Sequence, residues 1–298
     1  MTDLLFEFFK EEDVEFKGSI RLSKFSSIKI GGDAAVAAPH SVEKLVKLLD
    51  FLYRNQIKYK IVGRMSNVLP PDDPYDGVIV ITSRLRSLEF YGNIATAESG
   101  AMLSGLLWKA RERGLGGLEA LYGIPASLGG MIYSNAGAYG SEISDFLVSV
   151  TAYDVRRSEI ITIPAKELCF SYRHSSFKEN ELAILSAKLM LKKRERDLIK
   201  RDLEYYIAKR KASQPYNEPS LGSVFKRSAG EPISYLIDKA GLKGFSVGGA
   251  MISEKHAGFI VNKGGASARD VISLINVIKD NIYEKYGVMP EEEIEYLL

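Results

Sequence analysis

The sequence predicts a mixed α and β protein of two or three domains, on three observations. Its 298 residues, 46% hydrophobic and 26% charged, are enough to bury a sizeable core. Apolar residues recur at helical spacing in some windows and as short β-favouring runs in others, alternating along the chain. Between them, residues 123–140 read GIPASLGGMIYSNAGAYG, too small-sided for a core of their own and suited to close backbone approach to a ligand.

Taken in order, Ser41 caps a helix running through residue 56, because Val42, Leu45, Val46, Leu49 and Leu52 recur at helical spacing and Asn55 ends the run. Tyr59, Ile61 and Val62 favour a strand that Gly63 stops; Pro70, Pro71 and Pro74 mark a loop before an apolar strand at 78–81, which completes an α/β unit. A strand at 94–97 precedes an amphipathic helix at 102–113 that ends in Gly114, Gly116 and Gly117. Strands follow at 148–155, 160–163 and 184–191, and the charge-rich run 192–211 has the helical patterning of an inter-domain connector. Beyond Gln214 and Pro215 come a helix near 233–240, a strand at 250–252 and a strongly amphipathic helix at 268–286.

Composition narrows the function. Lys and Arg total 40 against 38 for Asp and Glu, a net charge of +2 that lacks the basic footprint of a nucleic-acid binder. The single Cys169 has no intrachain partner, which suits a reducing compartment. The first sixteen residues mix Leu and Phe with Asp3, Glu7, Glu11, Glu12 and Asp13, unlike an export signal, and no apolar run nears the ~18 residues of a spanning helix. A cytoplasmic protein without membrane insertion is expected. His40, His174 and His256 lie far apart, so no metal site is predicted.

Four segments carry candidate chemistry, each with a structural alternative. In VGRMSNVL (62–69), Gly63, Ser66 and Asn67 can turn donors toward a phosphate or simply make a turn. In 123–140, the glycine pairs serve either tight packing or a loop whose amides and Ser127 wrap a pyrophosphate without a P-loop lysine. In GSVFK (222–226), Ser223 lacks a nearby histidine and so reads poorly as a nucleophile; as a proton donor it needs a carbanion-like partner. The acidic run Glu291, Glu292, Glu293 and Glu295 is either a solvated tail or, with Ile294, Leu297 and Leu298, a short strand aiming alternate side chains inward. Arg173, after Tyr172, is a surface ion-pair partner unless the reaction builds negative charge.

Together these segments resemble the UDP-N-acetylenolpyruvoylglucosamine reductase (MurB) family over nearly the whole chain. The resemblance rests on Ile30-Gly31-Gly32, Ser66-Asn67, GLGGLEALYGIPASLGG from Gly114, NAGAYG from Asn135, Tyr172-Arg173-His174-Ser175, PSLGSVFK from Pro219, AGLKG from Ala240 and SEKHAGFIVN from Ser253. It implies an α+β architecture: two N-terminal α/β subdomains forming a PCMH-type (VAO-like) FAD-binding module, over 1–85 and 86–195, and a connector helix with a C-terminal α/β substrate-binding domain over 196–298. The short stretch after Tyr172 resembles the family's shorter type, which lacks an extra substrate-covering loop.

The resemblance further implies NADPH- and FAD-dependent reduction of UDP-N-acetylenolpyruvoylglucosamine to UDP-N-acetylmuramate in peptidoglycan precursor synthesis, with non-covalent FAD and NADPH as co-substrate. Hydride would pass from flavin N5 to C3 of the enolpyruvyl group. FAD would be held by Gly63, Ser66, Asn67, Gly123, Ile124, Ser127, Gly129, Asn135 and Gly137. Arg173 would polarise the substrate carboxylate, Ser223 protonate C2, and Glu293 supply the last catalytic group. Tyr172 and Lys226 would contact substrate. A monomer is expected. Glu292 is expected to tolerate replacement and Glu293 not. His256 is expected to hold local structure. Departures from the family pattern at Arg64, Met65 and Ala126 bear on FAD binding, and Ser228 stands where a proline is common. Two rivals are another FAD-linked oxidoreductase on the same scaffold and a catalytically silent nucleotide-binding protein.

Overall fold

The computed structural model describes residues 2–228 and 230–297; Met1, Ala229 and Leu298, the last expected in the terminal strand, lie outside it. The N-terminal segment opens with helix α1 (Thr2–Glu11), which buries Leu5 and Phe9, one turn apart. Helix α2 (Val42–Arg54) begins where Ser41 Oγ accepts the Lys44 amide at 3.2 Å and buries Leu45, Leu48, Leu49 and Leu52 completely. Each of those leucines contributes about 1.5–3 kcal/mol by leaving water. The expected strand Tyr59–Val62 pairs in parallel with Tyr75–Ile81, which begins three residues before the strand expected at 78–81; Tyr59 sits opposite Val78 and Val62 opposite Ile81. They join Glu15–Arg21 and Asp33–Ala38 in a four-stranded sheet.

The packing divides into two units of interleaved segments. The first runs to Gly18 and includes Ala35–Arg64 and Gly77–Ala208; the second comprises Ser19–Ala34, Met65–Asp76 and Lys209–Leu298. Residues 19–34 and 65–76 therefore pack with the C-terminal segment, which a linear division at 85 and 195 does not describe.

The first unit holds two cores. One gathers α1, α2 and the parallel strands; the other gathers helix α3 (Leu103–Glu112), helix α4 (Leu128–Tyr133) and a five-stranded antiparallel sheet in the order Glu159–Pro164, Leu147–Asp154, Leu182–Met190, Ile94–Glu98, Leu88–Tyr91. The strand Leu182–Met190 serves both, because Ala183 and Leu185 enter the first core and Ala187 and Leu189 the second. Helix α5 (Arg196–Ser213) is the expected connector, and Ile199 and Leu203 anchor its start in the second core.

In the second unit an antiparallel sheet in the order Ser220–Ser223, Phe259–Asn262, Ala250–Ile252, Ser246–Val247 shares a core with helices α6 (Ile233–Lys239) and α7 (Ala268–Tyr286). Helix α7 starts at a capping box: Ser267 Oγ accepts the Asp270 amide and Asp270 Oδ2 the Ser267 amide, each at 3.0 Å. Asp72 adds acceptors for the Ala268 and Arg269 amides at 2.7 and 3.1 Å. The backbone hydrogen bond from Ser267 holds the Asp270 carboxyl below its ordinary range. The strand Ser220–Ser223 exists by pairing rather than propensity: Ser-Leu-Gly-Ser is a weak β sequence, yet Ser220 and Ser223 sit opposite Val261 and Phe259. No helix among the described residues is long and apolar enough to cross a membrane.

Candidate functional site

In the first unit, the strand Tyr59–Val62 delivers Gly63 against Ser127, the residue that opens α4. A Cβ on Gly63 would overlap Ser127 Oγ and stand 3.3 Å from Ser127 Cβ, so any side chain here would require Ser127 to shift. Ser127 is 1% exposed, and its Oγ has no hydrogen-bond partner among the described residues. A buried hydroxyl in that condition is costly unless something accepts its proton. Facing a side-chain-free glycine, it fits the phosphate of a dinucleotide cofactor such as FAD. Gly123 turns the chain into this loop at φ 88°, with Ile124 half-buried behind it.

Two expected cofactor residues have other partners. The Gly129 amide donates to the Ser99 carbonyl at 2.8 Å, so it secures α4 to the sheet instead of facing outward. Asn135 is fully buried; its Nδ2 donates to Glu142 Oε2 at 2.8 Å and the Ser171 carbonyl at 3.0 Å, and its Oδ1 accepts the Ser144 amide at 3.3 Å. With these groups engaged, its side chain is a scaffold for the neighbouring turn.

That turn carries the arginine. Ser171 and His174 exchange backbone hydrogen bonds at 3.2 and 3.1 Å, which puts Tyr172 and Arg173 at the tip of a two-residue hairpin. Arg173 takes φ 57°, a left-handed conformation costing a non-glycine residue about 1–2 kcal/mol. Its guanidinium lies 5.4 Å from the Tyr172 ring centroid and donates to the Gly137 carbonyl at 3.3 and 3.4 Å. The buried Ser175 hydroxyl, 2.7 Å from the Tyr133 carbonyl, ties the hairpin to the end of α4. Helix α4, opened by Ser127 and held by Ser175 at its end, thus links the Gly63–Ser127 loop to the arginine's hairpin.

The second unit carries the serine and the glutamate. Gly222, at φ 81°, makes the irregular step that turns Ser223 out of register, and Val224 then docks its amide on the Gly258 carbonyl at 2.8 Å. Ser223 Oγ, half-buried, donates to the Phe225 carbonyl at 3.2 Å. The C-terminal tail pairs with the residues just past it: Glu293 N to Val224 O at 2.7 Å, Lys226 N to Glu291 O at 2.8 Å, and Phe225 bridged to Glu292. The same tail runs parallel to Val68–Leu69 through the strand Glu295–Tyr296. Asn67 holds it there; its Nδ2 donates to the Glu293 carbonyl at 3.0 Å and its own carbonyl accepts the Glu295 amide at 2.9 Å. Asn67, expected at the cofactor, gives one Nδ2 hydrogen to the glutamate's backbone, and Ser66 beside it is half-buried. Lys226 forms an ion pair with Glu291.

His256 buttresses this arrangement as expected: its Nδ1 accepts the Gly258 amide at 3.1 Å, and Gly258 in turn holds Val224. Burial pushes its pKa down. Of the departures, Met65 does sit left-handed at φ 46°, buried, whereas Ala126 does not; Ser228 Oγ donates to the Glu231 carbonyl. Sequence reasoning missed the partners of Glu292. Lys279 and Tyr296 both hydrogen-bond its carboxylate. The only signal for them was the alternation expected of a terminal strand.

The C-terminal domain model of UDP-N-acetylenolpyruvoylglucosamine reductase matches residues 214–297, and an FAD-binding domain model matches residues 34–163. Proteins named UDP-N-acetylenolpyruvoylglucosamine reductase from Caldicellulosiruptor bescii and Lactobacillus acidophilus are each 40% identical, over 97% of this chain and 93% and 97% of theirs. The crystal structure of the reductase from Thermus caldophilus superimposes with a TM-score of 0.83 at 30% identity, covering 96% of this chain and all of that one.

Proposed function

The chain belongs to the UDP-N-acetylenolpyruvoylglucosamine reductase family, and from that premise we propose how its own residues divide the family's reaction. It is a flavoprotein oxidoreductase of peptidoglycan precursor synthesis that reduces UDP-N-acetylenolpyruvoylglucosamine to UDP-N-acetylmuramate, with FAD as cofactor and NADPH as co-substrate. The FAD-binding module and the C-terminal domain supply the α+β fold.

FAD, when bound, supplies the hydride that reduces the vinyl C3 carbon of the enolpyruvyl group. Ser127 donates its buried hydroxyl to the cofactor's pyrophosphate, with Gly63, Ser66, Gly123, Ile124 and Gly137 lining the approach. Asn67, Asn135 and Gly129 act one step back, holding the segments that carry these groups. Arg173 offers its guanidinium to the substrate carboxylate, where negative charge builds as C3 is reduced. Ser223 Oγ gives its proton to C2; a serine's high pKa is no obstacle opposite so basic a carbon. Glu293 is the carboxyl of the catalytic set. Lys226 releases Glu291 to meet the substrate's diphosphate as a point charge, and Tyr172 backs the arginine. Action as a cytoplasmic monomer belongs to the same proposal.

The single observation supporting this division is the 2.7 Å hydrogen bond from Glu293 N to the Val224 carbonyl, which secures the glutamate one residue from the serine although 70 positions separate them in sequence. The experiment is a stopped-flow trace of flavin absorbance, first with NADPH and then with UDP-N-acetylenolpyruvoylglucosamine. Ser223→Ala should bleach at the wild-type rate and recover roughly 10²–10⁴-fold more slowly, the range of a lost general acid. Equal slowing of both phases would assign Ser223 a structural role.

A further inference from the structure

We infer that Glu292 is a positioning residue whose clamp on Lys279 and Tyr296 sets the register of the terminal strand and thereby aims Glu293; this rests on the catalytic reading of Glu293 above. The run Glu291-Glu292-Glu293 presents three identical carboxylates in succession, so a one-residue slip would put a chemically equal group in the wrong place and send the rest of the strand's side chains to the opposite face. Backbone pairing alone discriminates poorly among such registers. What distinguishes them is the set of partners each carboxylate meets.

Glu291 is 71% exposed and pairs with Lys226 at the solvent boundary. Glu292 is 18% exposed and takes the Lys279 ammonium on Oε1 and the Tyr296 hydroxyl on Oε2. Lys279 projects from α7 between Ile275, Ile278 and Ile282, all buried, so its stem is anchored to the most firmly capped helix of the unit. Tyr296 sits on the terminal strand itself, and burial, reinforced by Glu292, raises its pKa so that it stays a neutral donor. Ile294, 5% exposed, sits at a bend in the tail and packs in the same core. Glu293 lies between these two anchors, with its backbone amide on the Val224 carbonyl and its carbonyl on Asn67 Nδ2. Glu292 therefore joins α7, the terminal strand and, through its bridge to Phe225, the segment carrying Ser223. The mild effect expected of its replacement does not follow from this geometry.

The test uses the full-length FAD-loaded protein with Glu292→Gln, Tyr296→Phe and Glu293→Gln, reading the two flavin phases separately. Glu292→Gln and Tyr296→Phe should slow substrate-driven reoxidation roughly tenfold to a hundredfold, the effect of a misplaced reacting group, with bleaching by NADPH and the half-saturating substrate concentration unchanged. Combining Glu292→Gln with Glu293→Gln should slow reoxidation no further than Glu293→Gln alone. Hydrogen–deuterium exchange over residues 291–297 should quicken in both clamp variants, a readout independent of turnover. Slow reoxidation in Glu293→Gln with wild-type rates and exchange in both clamp variants would overturn the positioning role and leave Glu293 catalytic. Wild-type reoxidation in Glu293→Gln would overturn the catalytic reading itself. Tyr296→Phe leaves the Lys279 ion pair in place, so the test survives a Glu292 variant that fails to fold.

Discussion

Replacing Gly63 with alanine isolates the contact on which the proposed cofactor site turns. The added methyl would overlap Ser127 Oγ and stand 3.3 Å from Ser127 Cβ, a gap that a shift of a few tenths of an ångström relieves. Gly63 does not use a left-handed φ, so the whole effect is steric. The protein has two ways to absorb it. If Ser127 stays put, the overpacked contact costs about 1–3 kcal/mol of folding stability. If its hydroxyl swings aside, stability is largely kept, but the donor leaves the pyrophosphate. A hydrogen bond to a charged group contributes about 1.5–3 kcal/mol, so FAD affinity then falls about tenfold to 150-fold. Titrating apoprotein with FAD by flavin fluorescence, alongside a thermal melt, separates the two. Adding Ser127→Ala removes the overlapping oxygen, and the double variant should recover thermal stability without recovering affinity. A soluble Gly63→Ala protein that melts normally and binds FAD as tightly as wild type would refute a Ser127–pyrophosphate contact.

Two further outcomes follow from the second unit. His256 has a pKa below its ordinary value in the folded protein because it is buried, so the unfolded chain takes up the proton first: stability is intact above pH 6.5, the unfolded value, and falls as pH drops through the folded one. Urea midpoints measured from pH 8 to pH 5 should decline in wild type and decline less in His256→Gln; parallel curves would show that another group governs. Met65→Gly removes a left-handed strain of about 1 kcal/mol but also a side chain only 2% exposed, whose loss costs about 2–5 kcal/mol, so the variant should be less stable in chemical denaturation. A stabilised Met65→Gly would mean that backbone strain outweighs packing at this position.

Much of the architecture was legible without coordinates because its determinants are local. The Leu45–Leu52 spacing, the Ser41 cap and the alternation along 182–190 are relations between residues two to four apart, which chain geometry converts directly into helix or strand. The motifs around Gly63, Ser127, Arg173, Ser223 and Glu293 are contiguous, and they carried the family and its chemistry. What a linear reading could not supply is the choice of partners over long separations. Asn67 reads as a cofactor donor, and one hydrogen of its amide goes to the carbonyl of a residue 226 positions away; Asn135 reads the same way, and its side chain bonds Glu142, Ser144 and Ser171. Residues 19–34 and 65–76 pack with the C-terminal segment although they lie inside the first subdomain in sequence. Among three consecutive glutamates, only the tertiary structure gives one to Lys226 and the next to Lys279 and Tyr296. The physical reason is the same in each case: composition and spacing determine which groups a segment presents, whereas burying a polar group demands a partner, and the folded chain decides which partner is within reach.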